Sequence, residues 1–108
     1  MNDQLTKWLS AFDNRVDAYG KLKWNEGEKI SEYLKDLTVI LCHLEHHRKE
    51  AHEKWNSLVF EFDGSVSRAE INANEQVPEL YQLRRIMNAG YRVVDAMRSN
   101  ISFIKKES

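Results

Sequence analysis

The chain has 108 residues, 42% of them hydrophobic and 31% charged, with four glycines and one proline. That is the size of one domain, 1–108, and the glycines and proline are too few for a β-sandwich that must turn every ~8 to 12 residues. Sixteen Lys and Arg against 17 Asp and Glu leave a formal charge of -1, which excludes a uniformly basic, histone-like nucleic-acid binder. An all-α fold is expected: two long antiparallel helices forming a helical hairpin, with a shorter N-terminal helix and coiled-coil-like packing.

From Asn2 to Tyr19 the apolar residues Leu5, Trp8, Leu9, Phe12, Val16 and Tyr19 recur at spacings of three and four, the signature of an amphipathic helix. Gly20 suits a left-handed C-cap, and Lys21 to Trp24 then read as a connector, completing a first segment 1–24. Asn25 and Glu28 have the spacing of a capping box. A long second helix is therefore predicted over 25–63.

Along that helix Ile30, Leu37, Leu44, Ala51 and Leu58 fall seven apart, with Tyr33, Leu34, Ile40, Leu41, Trp55 and Phe62 beside them. Asp63-Gly64 is a turn dipeptide. Within 64–77, Ser67 and Glu70 repeat the capping-box spacing and predict a short helix over Arg68 to Ala73.

Pro78 suits the first turn of a last long helix, 78–108. Leu80, Leu83, Met87, Gly90, Val94, Met97, Ile101 and Ile104 alternate spacings of three and four and form one seam. This seam offers more apolar edge than one thin hairpin covers, so these eight residues are the expected interface of a homo-oligomer. Gly90 is the missing knob: a mid-helix glycine costs roughly 1 kcal/mol relative to alanine, and either a tight approach by a partner backbone or bulky side chain or plain tolerance accounts for it.

Candidate chemistry is sparse. His43, His46, His47 and His52 cluster on the second helix, and His43 with His47 has the i, i+4 spacing of a metal pair, yet no further ligand is evident. His47 falls on the seam, where a polar residue sets register. Cys42 lies in the apolar run from Thr38 and reads as a buried, unreactive thiol. No nucleophile elbow, phosphate loop or dinucleotide fingerprint occurs. Neither catalytic residues, nor a cofactor, nor a metal site is expected, a metal-dependent enzyme at His43 and His47 being the remote option.

Charge is segregated along the chain. Residues 78–108 carry six basic and three acidic side chains, or +3, against ten and fourteen, or -4, over 1–77. Arg84, Arg85, Arg92, Arg98, Lys105 and Lys106 flank the seam, with Tyr91 among them, in a pattern suited to phosphates and a stacked base.

The charged segment Leu44-Glu-His-His-Arg48-Lys49-Glu-Ala51, the Asp63-Gly64 break, the turn Ser65 to Ile71 and the closing helix Leu80 to Lys106 together resemble the phage recombination mediators of the UvsY-like family. The resemblance spans Glu32 to Lys106. It implies a non-enzymatic protein that assembles into a ring-like oligomer, binds single-stranded DNA and helps load a recombinase where single-strand-binding protein must be displaced. It further implies DNA contacts around Arg48, Lys49 and Lys54, although Glu50, Glu53 and Trp55 depart from the positive character of that region. The alternative is a helical protein–protein interaction module, an inhibitor, adaptor or structural subunit. The opening MNDQLTKWLS lacks the n- and h-regions of a secretory leader, and the longest apolar run, Val39 to Cys42, falls far short of the ~18 to 20 residues of a membrane span. The expected location is the cytoplasm, that of the host if the chain is phage-encoded, with no membrane partner.

Overall fold

The computed structural model describes residues 3–107, which form four helices: α1 (Asp3–Gly20), α2 (Gly27–Glu61), α3 (Val66–Gln76) and α4 (Glu79–Glu107). The expected helix limits at Asn2 and Ser108 lie outside the described residues. Thirty-five residues make α2 about 50 Å long at 1.5 Å per residue, and it sets the long axis of a rod measuring 62 × 26 × 18 Å.

The apolar periodicity determines how the helices meet. Ile30, Leu37, Leu41, Leu44 and Ala51 of α2 are buried against Leu80, Leu83, Met87, Val94 and Met97 of α4. The two run antiparallel: Gly27 faces Ile104 at one end, and His52 meets Arg84 toward the other. Leu5 and Phe12 bring α1 into the same core. Its direction opposite to α2 follows from Trp8 stacking on His43 and Arg15 pairing with Asp36 at 3.0 Å. The Tyr19 hydroxyl donates to Asn100 Oδ1 at 3.3 Å, and Asn100 Nδ2 donates to the Trp24 carbonyl at 2.7 Å, which ties the connector to α4.

Beyond Ala51, α3 takes over as the third element. Its inward positions Ala69 and Ala73 are small and fully buried, which lets its backbone approach α2 closely, and Trp55 Nε1 donates to Asn74 Oδ1 at 2.8 Å to fix the contact.

Several local expectations are corrected. Gly20 ends α1 within the right-handed helical region; among the described residues only Gly64 has positive φ. Asn25 and Glu28 form no capping box: α2 starts one residue later behind Glu26, whose carboxylate accepts from Lys23 N at 2.7 Å and so closes the connector instead. α3 starts at Val66, capped by Ser65, whose hydroxyl accepts from Arg68 N at 3.3 Å, so the serine two residues before Ser67 is the cap. Cys42 is exposed, because it lies at the open edge of the α2/α4 contact, in the wall of a groove, and not in the packed seam.

The eight-residue α4 seam is an intramolecular one. Leu80, Leu83, Met87, Gly90, Val94 and Met97 are buried within the single chain, and Ile101 and Ile104 are half-buried against the same core. Assigning them to contacts between copies is therefore corrected: α2, with Phe12 of α1 at Gly90, already occupies that stripe.

Candidate nucleic-acid interface

A helix turns 100° per residue, so side chains seven apart return to nearly the same direction. Arg84, Tyr91 and Arg98 consequently share one flank of α4, about 10 Å apart along it. This flank borders the side of the α2/α4 pair that α1 leaves open. There a groove of about 410 Å³ has Leu41 and Val94 in its lining, with Thr38, Cys42 and Glu45 on the α2 side and Tyr91, Asp95 and Arg98 on the α4 side. Tyr91 is 48% exposed, so one part of its ring rests on the bundle while the rest faces solvent.

The cations along this flank are not equivalent. Arg48 grips Glu45 with two guanidinium nitrogens, Nη2 donating to Oε1 at 2.6 Å and Nε to Oε2 at 3.0 Å. That hydrogen bonding holds the Glu45 carboxyl below the usual carboxylate range and pushes Arg48 further above the ordinary arginine value. Arg98 lies 4.0 Å from Asp95. Arg84, by contrast, meets His52 Nδ1 at 2.9 Å; the guanidinium donates, the ring nitrogen accepts as a neutral imidazole, and the arginine charge is left uncompensated. The two remaining arginines of the basic strip, Arg85 and Arg92, are also seven apart but lie on the outer back of α4, Arg85 standing 5.7 Å from the Tyr81 ring.

The residues expected to contact DNA are thus divided. Tyr91 and Arg98 line the groove and Arg48 grips Glu45 of its α2 wall, whereas Arg84, one heptad before Tyr91, lines a separate cavity with Trp55, Asn74 and Pro78; Lys49 is exposed, and Arg85 and Arg92 point outward. Lys54 is separated from Arg48 altogether: it lines a cavity on the α1-facing side of α2 with Leu5 and His47. Arg48, Lys49 and Lys54 therefore do not form one basic group. The groove itself, with Cys42 and Thr38 in its wall, was invisible to periodicity because it arises from the empty third position beside two packed helices.

The histidines disperse as well. His43 stacks on Trp8 at 3.9 Å between ring centroids, His46 Nε2 lies 3.1 Å from Glu50, His47 is buried and His52 accepts from Arg84. Among the described residues no three His, Cys, Asp or Glu side chains are placed to share a metal ion, and no helix is long and apolar enough to cross a membrane.

Comparison of the chain with protein-family models, with curated proteins and with solved structures finds no match in any of the three.

Proposed function

We propose that this chain is a non-enzymatic binding protein that holds single-stranded DNA along the open α2/α4 flank. The observation that carries it is a half-exposed aromatic, Tyr91, on the edge of an apolar-lined groove beside Arg98, with Arg84 one heptad away on the same flank of α4. A base stacks on an aromatic face whatever its identity, while flanking guanidinium groups take the phosphates on either side. Arg84, Arg85 and Arg92, which no carboxylate among the described residues neutralises, supply the sequence-independent attraction, and Arg48 and Arg98 exchange their acidic partners for phosphate.

In this account the protein works as a homo-oligomer in the cytoplasm and assists a recombinase in displacing single-strand-binding protein, the step implied by the likeness to UvsY-like mediators. With the α4 seam consumed internally, copies meet through apolar side chains outside the core. Phe60, Val66, Ile71 and Tyr81 are exposed, as is the Trp24 and Phe103 pair, whose rings lie edge to face at 5.5 Å.

The same exposed residues, above all Phe60 at 91% exposure, favour a second reading, a protein–protein interaction module without nucleic acid. Light-scattering mass with and without a single-stranded oligonucleotide separates the two. Self-association together with a mass gain on adding DNA supports the first; an unchanged mass, with nuclease-insensitive capture of one protein, supports the second.

A further inference from the structure

On the opposite side of α2 from the Tyr91 groove, a cavity of about 460 Å³ opens where the start of α1, the middle of α2 and the α3–α4 junction meet. The volume falls within the roughly 300–1,000 Å³ typical of small-molecule sites. Leu5, Ala51 and Pro78 give it an apolar wall. The polar lining includes His47 and Lys54, one heptad apart on α2, and Glu79 and Gln82 on the first turn of α4.

His47 is the decisive residue. It is only 8% exposed, and apart from an edge contact with the His46 ring at 6.0 Å it has no partner among the described residues. No described side-chain nitrogen or oxygen is both sealed from solvent and unpaired, so the His47 ring nitrogens open into the cavity. Solvent in the cavity, or a ligand that displaces it, can therefore supply the hydrogen bond that the ring lacks within the chain. Lys54, Glu79 and Gln82 likewise have no side-chain partner among the described residues, whereas Glu50 is engaged by His46 and Gln76 by Asn72.

The charges select the ligand class. A simple anion attracted by Lys54 meets Glu50 and Glu79 in the same lining, and a simple cation leaves Lys54 unmatched. A metal ion lacks three suitable ligands among the described residues. We propose that this cavity binds a small zwitterion of the α-amino-acid class with an apolar side chain. Its carboxylate is held by Lys54 and the Gln82 amide, its ammonium by Glu79 and His47, and its side chain by Leu5, Ala51 and Pro78. The site shares no residue with the proposed DNA flank, so the two stand or fall separately.

The test is an NMR titration of the labelled full chain with three probes of one shape: L-leucine, isocaproate, which keeps only the carboxylate, and isoamylamine, which keeps only the amine. The expected result is saturable change at the His47 imidazole with L-leucine, at a Kd at least about tenfold below either analogue, as the loss of a charged hydrogen bond implies. Lys54→Met, at an exposed position that leaves the core intact, should bring L-leucine to the level of isoamylamine. No saturable change at His47, equal binding of all three probes, or an unaltered Kd in Lys54→Met would each overturn the proposal.

Discussion

Phe12 and Gly90 meet where α1 crosses α4: a Cβ placed on Gly90 would stand 2.8 Å from Phe12 Cε2 and 2.7 Å from Leu41 Cδ2. The glycine is the notch that receives the largest α1 side chain in the core. It explains how a helix can carry a poor helix former at its midpoint and still pack on two neighbours.

Gly90→Ala should therefore destabilise the protein by about 1 kcal/mol net, since overpacking costs of ~1–3 kcal/mol outweigh the ~1 kcal/mol gained in helix propensity. Urea unfolding measures it. In Phe12→Leu the alanine should cost less than in the parent chain, and additive effects would show that the two residues do not share the notch.

Leu44→Ala and Met97→Ala remove side chains with 0% exposure from the α2/α4 seam, and each should cost ~2–5 kcal/mol by the same assay. Substituting Ile101, half-buried near the end of the seam, should cost less.

Cys42 should react with a thiol reagent in the folded state, at a rate within about tenfold of the unfolded chain, because its side chain is exposed at the groove wall. Single-stranded DNA should slow that reaction if it occupies the groove.

The Glu45–Arg48 pair makes a pH-dependent contribution. The folded carboxyl titrates below its ordinary 4.5, so the contribution is present above that value and is lost as pH falls through the folded one. Glu45 is 45% exposed, which keeps the effect small. Glu45→Gln should be slightly less stable than the parent near neutral pH and indistinguishable from it once the Glu45 carboxyl is protonated, as read from urea unfolding across pH.

The long helices and their core were legible in the sequence because burial on a helix repeats every three or four residues, and Leu37, Leu44, Leu83 and Val94 obey that rule without exception. Caps were less so: Ser65 won over Ser67 through one hydrogen bond that many neighbouring polar residues are equally able to make, and Glu26 precedes α2 without a side-chain cap, its carboxylate bound to Lys23 N in the connector. Cys42 misled because an apolar run on one helix says nothing about which side a neighbour covers. The basic strip looked uniform in sequence, but its charges are distinguished only by tertiary and local partners, His52 for Arg84 and Glu45 for Arg48. The His47 cavity, built from all four helices, has no sequence signature at all.

The DNA-binding account is tested most directly by anisotropy of a labelled single-stranded oligonucleotide, titrated with protein at low salt and then at rising salt. Saturable binding is expected, with log K falling linearly against log salt by ~0.7 per phosphate engaged. Arg84→Ala with Arg98→Ala should flatten that slope by about 1.4, while Tyr91→Ala should weaken binding by ~1–3 kcal/mol and leave the slope unchanged. Absence of binding at the lowest salt, or binding indifferent to all three substitutions, contradicts the account.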